Sequence, residues 1–232
     1  MKILAISDEV VESIYSPAIK DKYCDVDLVL GCGDLPFYYL EFIVTVLNVP
    51  LYYVPGNHDR LQQYLSDGRI IHRAEGCEPL DVRSKHLPIL SAAARRAGQQ
   101  PDPSGPRLLL AGLGGSRRYN QDGVHQHTEG AMLSRMLRLA PRLVANRRRY
   151  GRYLDILVTH APPRGIHDAD DLAHTGFSAF LRFMRIFRPQ LLLHGHSHVY
   201  RGDTVTSTRF EGSQVLNVYP YRAIEWEPNA RR

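Results

Sequence analysis

Three cysteines in 232 residues are too few and too scattered for a disulfide scaffold. Cys24, Cys32 and Cys77 are an odd number, partly in apolar context, and are expected to be reduced thiols of a cytoplasmic protein. No apolar run approaches the roughly 20 residues that a membrane-spanning helix needs, so no membrane association is expected. The chain starts in an apolar run at Lys2 with no basic segment and longer apolar segment before it, so no secretory signal is expected either. Nucleotide-binding and hydrolase signatures are equally scarce. There is no Walker A sequence and no Gly-x-Ser-x-Gly elbow. Gly112-Leu113-Gly114 and Gly31-Cys32-Gly33 fail as dinucleotide loops, because Arg117 and Pro36 stand where the third glycine is needed. No RNP, zinc-finger or basic-zipper pattern marks a nucleic-acid module.

What is present is a series of short apolar runs, each broken by a polar, metal-competent residue. Residues 2–7 break at Asp8 and residues 26–30 at Gly31-Cys32-Gly33-Asp34. Residues 51–54 break at Pro55-Gly56-Asn57-His58-Asp59, residues 155–159 at His160, and residues 191–193 at the segment His194 to His198. Such runs bounded by Gly or Pro read as buried strands feeding loops. In open α/β sheets, ligands bind beyond the carboxyl ends of the strands. Asp and His donors with an Asn carbonyl suit first-row metals such as Mn, Fe or Zn better than Ca, which prefers an all-oxygen shell.

Gly33-Asp34, Gly56-Asn57-His58-Asp59, His160 and Gly195-His196-Ser197-His198, in that order, resemble the signature of the calcineurin-like metallophosphoesterase superfamily. The resemblance implies an α/β fold of two packed mixed β-sheets flanked by helices. It implies a phosphoesterase with two transition-metal ions and a bridging hydroxide that attacks phosphorus in line. By resemblance, Asp8, Asp34 and His198 hold one ion, while Asp34, Asn57, His160 and His196 hold the other. His58 then stabilises the phosphoryl oxygens or protonates the leaving group, with Asp59 fixing its tautomer and orientation. One motif departs from the pattern: Val10 stands where the family usually has a metal-binding His. An isopropyl group cannot coordinate, so the first ion is expected to bind more weakly. Glu9 is a poor substitute, because alternation along a strand points it away from the side Asp8 uses, unless the strand has already turned into a loop.

Other polar residues carry plainer expectations. His194 reads as a core histidine, and His125 and His127 as solvated loop residues. Arg117 or Arg118 is a candidate phosphate contact and Tyr119 a candidate stacking platform, while His174 and Gly176 lie in a segment that could cover the site. The length and 44% hydrophobic content suit one domain over residues 1–232. Helices are expected over 10–23, 37–47, from a Thr128 cap to about 139 with Pro141 as interruption, and 178–187. Short strands are expected over 69–72, 78–82 and 107–111, a surface loop over 92–106, and antiparallel strands over 199–226. The net charge of +5 favours an anionic partner, and Arg147-Arg148-Arg149 reads as a solvated helix end. The expected substrate is a phosphodiester or small phosphorylated molecule. The alternatives are a nuclease using the same site, which would need that basic cluster on the face of the metals, and a metal-binding scaffold weakened by Val10.

Overall fold

The computed structural model describes residues 1–64 and 68–228. Strands and helices are numbered along the chain. A five-stranded sheet contains β1 (Lys2–Ile6), β2 (Leu28–Gly31), β3 (Leu51–Tyr53), β6 (Glu78–Pro79) and β15 (Tyr221–Glu225), in the order β15-β1-β2-β3-β6. A six-stranded sheet contains β7 (Arg83–Pro88), β8 (Arg107–Leu113), β11 (Ile156–Thr159), β12 (Leu191–His194), β13 (Ser207–Phe210) and β14 (Ser213–Asn217), in the order β13-β14-β12-β11-β8-β7. Two small ribbons join β4 (Gln63–Tyr64) to β5 (Ile70–Ile71) and β9 (Ser116–Arg117) to β10 (Gln126–His127).

Both sheets are mixed. β1, β2 and β3 run parallel, as do β8, β11, β12 and β14, so the loops after these strands emerge at their carboxyl ends. The central strands are buried on both faces, which is why they read as continuous apolar runs. One core, including Ile3, Leu30, Leu110 and Val158, lies between the sheets. Another packs α1 (Ile19–Lys22) and α2 (Phe37–Leu47) on the first sheet. A third packs α4 (Glu129–Tyr150) and α5 (Ser178–Phe187) on the second. The result is the four-layer α/β/β/α arrangement expected.

The helix α5 buries Phe180, Phe183, Met184 and Phe187, an i, i+3, i+4, i+7 stripe. Each such side chain contributes roughly 1.5–3 kcal/mol on full burial. The helix stops at Arg188, in a left-handed conformation ahead of Pro189.

Four local expectations are corrected. Residues 10–23 form only the single turn of α1, because the β-branched pair Val10-Val11 and the bias that Pro17 imposes on Ser16 oppose an earlier start. Helix α4, capped by Thr128 Oγ1 accepting from Ala131 N–H at 3.2 Å, runs straight through Pro141 to Gly151. Pro141 and Leu137, whose carbonyl loses its partner, both face solvent, where that loss costs least. Within 92–106, Ser91 caps the short helix α3 (Ala92–Arg96) by accepting from Ala94 N–H at 3.1 Å. In the segment 199–226, β14 is antiparallel to β13 but parallel to β12, since alternation reports which face is buried and not strand direction.

Candidate metal centre

The carboxyl ends of strands from both sheets converge. Asp8 follows β1, Asp34 follows β2, and Asn57 to Asp59 follow β3; from the second sheet, His160 follows β11 and His196 and His198 follow β12. Ligating atoms of Asp34, His160 and His196 lie within 4.8 Å of one another, a group that could hold a metal ion. His160 Nε2 lies 3.3 Å from Asp34 Oδ2 and 2.9 Å from Asn57 Oδ1. His198 Nε2 lies 3.7 Å from Asp8 Oδ1.

Backbone geometry at this point is unusual. Asp8, Asp34 and His196 have φ of 64°, 56° and 65°, a left-handed conformation that costs energy and clusters at functional sites. Close approach also demands glycine. A Cβ on Gly56 would overlap the Asp34 carboxylate, and one on Gly195 would overlap Ser7 Oγ and Asp8.

The histidines are set for coordination through one nitrogen each. His160 donates its Nδ1 proton to the Cys32 carbonyl at 2.8 Å, turning Nε2 inward. His196 donates from Nε2 to the Ala173 carbonyl at 2.7 Å, leaving the Nδ1 lone pair. A ring nitrogen tied to a carbonyl is the arrangement metal-binding histidines use. The segment that includes His174 therefore reaches His196, with the His174 ring 5.1 Å from the His196 ring.

The electrostatics call for positive charge. Burial would raise the pKa of Asp34, but the neighbouring His160 charge and hydrogen bond, and the His58 N–H at 2.7 Å, hold it down at about 2. Burial would lower His160, yet Asp34 and Asp8 drive it up to about 9. Asp8, opposed by burial, is held low by His198, His160 and Ser7. His196 is pushed down to about 4 by burial and by His160. Two largely buried carboxylates thus favour positive charge, carried by the His160 proton until a cation displaces it, and the donor set fits a first-row metal.

Several predicted residues have other partners. Asp59 does not orient the His58 ring: Oδ2 accepts from Asp34 N–H at 3.0 Å and Gly56 N–H at 2.8 Å, and Oδ1 from Leu35 N–H at 3.1 Å. Its carboxylate serves two loops, while His58 stands exposed beside them. Arg117 is drawn away by Glu129, 3.0 Å distant, and by the Phe177 ring, so it ties α4 to α5. Arg118 is exposed. The Tyr119 hydroxyl accepts from Asn57 Nδ2 at 3.1 Å, so it meets a site residue directly. His125 and His127 are half-buried beside Asp81 and Arg135 instead of solvated, and burial lowers both pKa values. His194 is a core residue as expected: Thr208 Oγ1 donates to His167 Nε2, His167 Nδ1 to His194 Nε2, and His194 Nδ1 to the Gly195 carbonyl, each at 2.9 Å.

Sequence reasoning missed the carbonyls of Cys32 and Ala173, since backbone groups leave no residue-type signal. It also missed Tyr200 and Tyr219, which flank His198. The alternating aromatic-rich stretch after the last motif was the available clue.

The profile of the calcineurin-like phosphoesterase family matches residues 1–200. The chain belongs to that family. Among solved structures, TT1561 of Thermus thermophilus is 15% identical with a TM-score of 0.57, over 94% of this chain and 88% of that one. A second structure is 13% identical with a TM-score of 0.56, over 94% and 90%. A single mutant of Vps29 from Entamoeba histolytica aligns more loosely, at 13% identity and a TM-score of 0.37 over 94% and 73%. At these identities the first two likenesses show the shared fold. Among curated proteins none matches. Membership of the family makes this a hydrolase-type scaffold with a possible metal site, and no described helix is long and apolar enough to cross a membrane.

Proposed function

We propose that this chain is a metal-dependent phosphoesterase that hydrolyses a phosphodiester or a small phosphorylated molecule. In this reading Asp8, Asp34 and His198 hold one first-row cation, and Asp34, Asn57, His160 and His196 hold a second. The observation that carries it is the convergence of Asp34, His160 and His196, with the far nitrogen of each histidine tied to a backbone carbonyl. Bound there, a pair of Mn, Fe or Zn ions supplies an activated water and charge for the phosphate oxygens.

The chain's own groups do the rest. Asp8 and Asp34 stay ionised at neutral pH, while His160, pushed up to about 9, gives up its Nε2 proton as a cation binds. His58, exposed next to Asn57, is free to turn toward a bound ester and protonate its leaving oxygen, which matters because an alkoxide leaves poorly. Asp59 fixes the backbone of the two loops that carry Asp34 and His58. Arg118 stands exposed, and in this reading its guanidinium contacts the substrate phosphate.

Reconstitution of metal-stripped protein with Mn, Fe, Zn or Mg, followed by hydrolysis of bis(p-nitrophenyl) phosphate and p-nitrophenyl phosphate, tests this. Metal-dependent turnover is expected, with His58→Ala lowering kcat by roughly 10²–10⁴. Absence of turnover with every metal would overturn the enzyme reading in favour of a scaffold, the reading that Val10 supports.

A further inference from the structure

Val10 offers no donor atom, so the Asp8 half of the centre depends on how firmly His198 is held. The His198 side chain is 41% exposed, and an imidazole that open would ordinarily sample several rotamers. Here it is confined on three sides. The Tyr219 ring stacks on its face, with centroids 4.5 Å apart and planes inclined by 16°. The Tyr200 hydroxyl lies 2.8 Å from Nδ1, which leaves Nε2 turned toward Asp8. Tyr219 is in turn anchored, its hydroxyl donating to Glu9 Oε2 at 2.9 Å and its N–H to Asn217 Oδ1 at 3.0 Å.

Glu9 reaches Tyr219 because strand alternation no longer applies to it. Strand β1 ends at Ile6, Ser7 N–H donates to the Pro220 carbonyl at 3.0 Å, and Asp8 takes its left-handed turn. The expectation that Glu9 points away from the site is corrected by that early turn. Asn217 completes the frame, since its Nδ2 donates to the Ser197 carbonyl at 2.7 Å within the loop that carries His196 and His198.

We propose that Glu9, Tyr219 and Tyr200 form a brace that holds His198 Nε2 toward Asp8 and preorganises the Asp8–Asp34–His198 position for a cation in place of a ligand at residue 10. The proposal rests on the reading that these three residues hold an ion. Tyr219 and Glu9 act as positioning residues in it, touching the cation through His198 alone.

The test is Mn²⁺ binding to the metal-stripped full chain by titration calorimetry and by dialysis with elemental analysis, independent of turnover. Wild type is expected to bind two ions of unequal affinity. Tyr219→Leu should weaken the weaker affinity by about 10–100-fold, the range typical when a partner supporting a metal ligand is removed, and leave the tighter one unchanged as a control for folding. Tyr219→Phe keeps the stacked ring and loses the hydroxyl, so its loss should be smaller. Glu9→Gln keeps an oxygen for the tyrosine hydroxyl and should stay near wild type. A weaker affinity unmoved by Tyr219→Leu would overturn the brace. So would a Glu9→Gln loss equal to that of Tyr219→Leu, because it would make the Glu9 carboxylate itself a ligand. Wild type binding a single ion would instead overturn the dinuclear reading on which the brace depends.

Discussion

The amide of Asn57 has two ends, and only its oxygen is useful to a cation. Tyr119 settles the choice by accepting from Nδ2, which sends Oδ1 to within 2.9 Å of His160 Nε2. Tyr119 is itself fixed by the buried Gln126, whose Oε1 accepts from the N–H groups of Tyr119 and Asn120. Tyr119→Phe is therefore expected to lower the affinity of the tighter ion by about 10-fold or more while leaving the aromatic face intact. A raised KM with metal affinity unchanged would assign Tyr119 to the substrate instead. At this scale, the candidate donors were readable because Asp, Asn and His sit at strand ends. Their supports were not, because Asp59 bonds to backbone about 25 residues away and Arg117 finds Glu129 only after α4 has packed.

Between elements, the chain from Thr208 through His167 to His194 spans β14 and links β13 to β12. A proton on either ring would leave a charge buried, and protons on both would set His167 Nδ1–H against His194 Nε2–H. Burial pushes His167 down to about 4, helped by the Arg222 charge, and His194 down to about 3. Both folded values lie below the ordinary 6.5. The folded state thus binds fewer protons than the unfolded one between them, and this contribution is complete above pH 6.5 and lost as pH falls toward 4. Melting temperature should decline over that window, and His167→Gln should give a shallower slope; parallel curves would exclude His167 as a cause. Element existence was largely legible from apolar runs, as α2 and α5 illustrate. Direction and continuity were not: a parallel β14 and a helix unbroken at Pro141 are decided by neighbours far along the chain.

For the molecule as a whole, the basic cluster and the candidate centre lie at opposite ends. Helix α4 starts beside Arg117 at the carboxyl end of β8 and runs 22 residues, about 33 Å at 1.5 Å per residue. It finishes where Tyr150 meets His86, whose register partner is Leu109 near the start of β8. Arg147 and Arg149 lie over the rings of Tyr153 and Tyr150 there. The condition a nuclease reading set, a basic cluster sharing the face of the metals, is not met. Replacing Arg147, Arg148 and Arg149 together by Gln should leave kcat/KM for bis(p-nitrophenyl) phosphate unchanged. A tenfold fall would show that the cluster reaches the substrate.

The proposed donors divide evenly between the two sheets: Asp8, Asp34 and Asn57 follow strands of the first, and His160, His196 and His198 follow strands of the second. An ion held by both is then a rivet through the seam of the sandwich. Whatever free energy it releases on binding is added to the work of parting the sheets, about 2.7 kcal/mol when free metal stands at a hundred times its dissociation constant. Catalytic readiness and mechanical integrity would share one switch, and a cell short of metal would have a protein that is idle and easier to unfold, and so to degrade, at the same time.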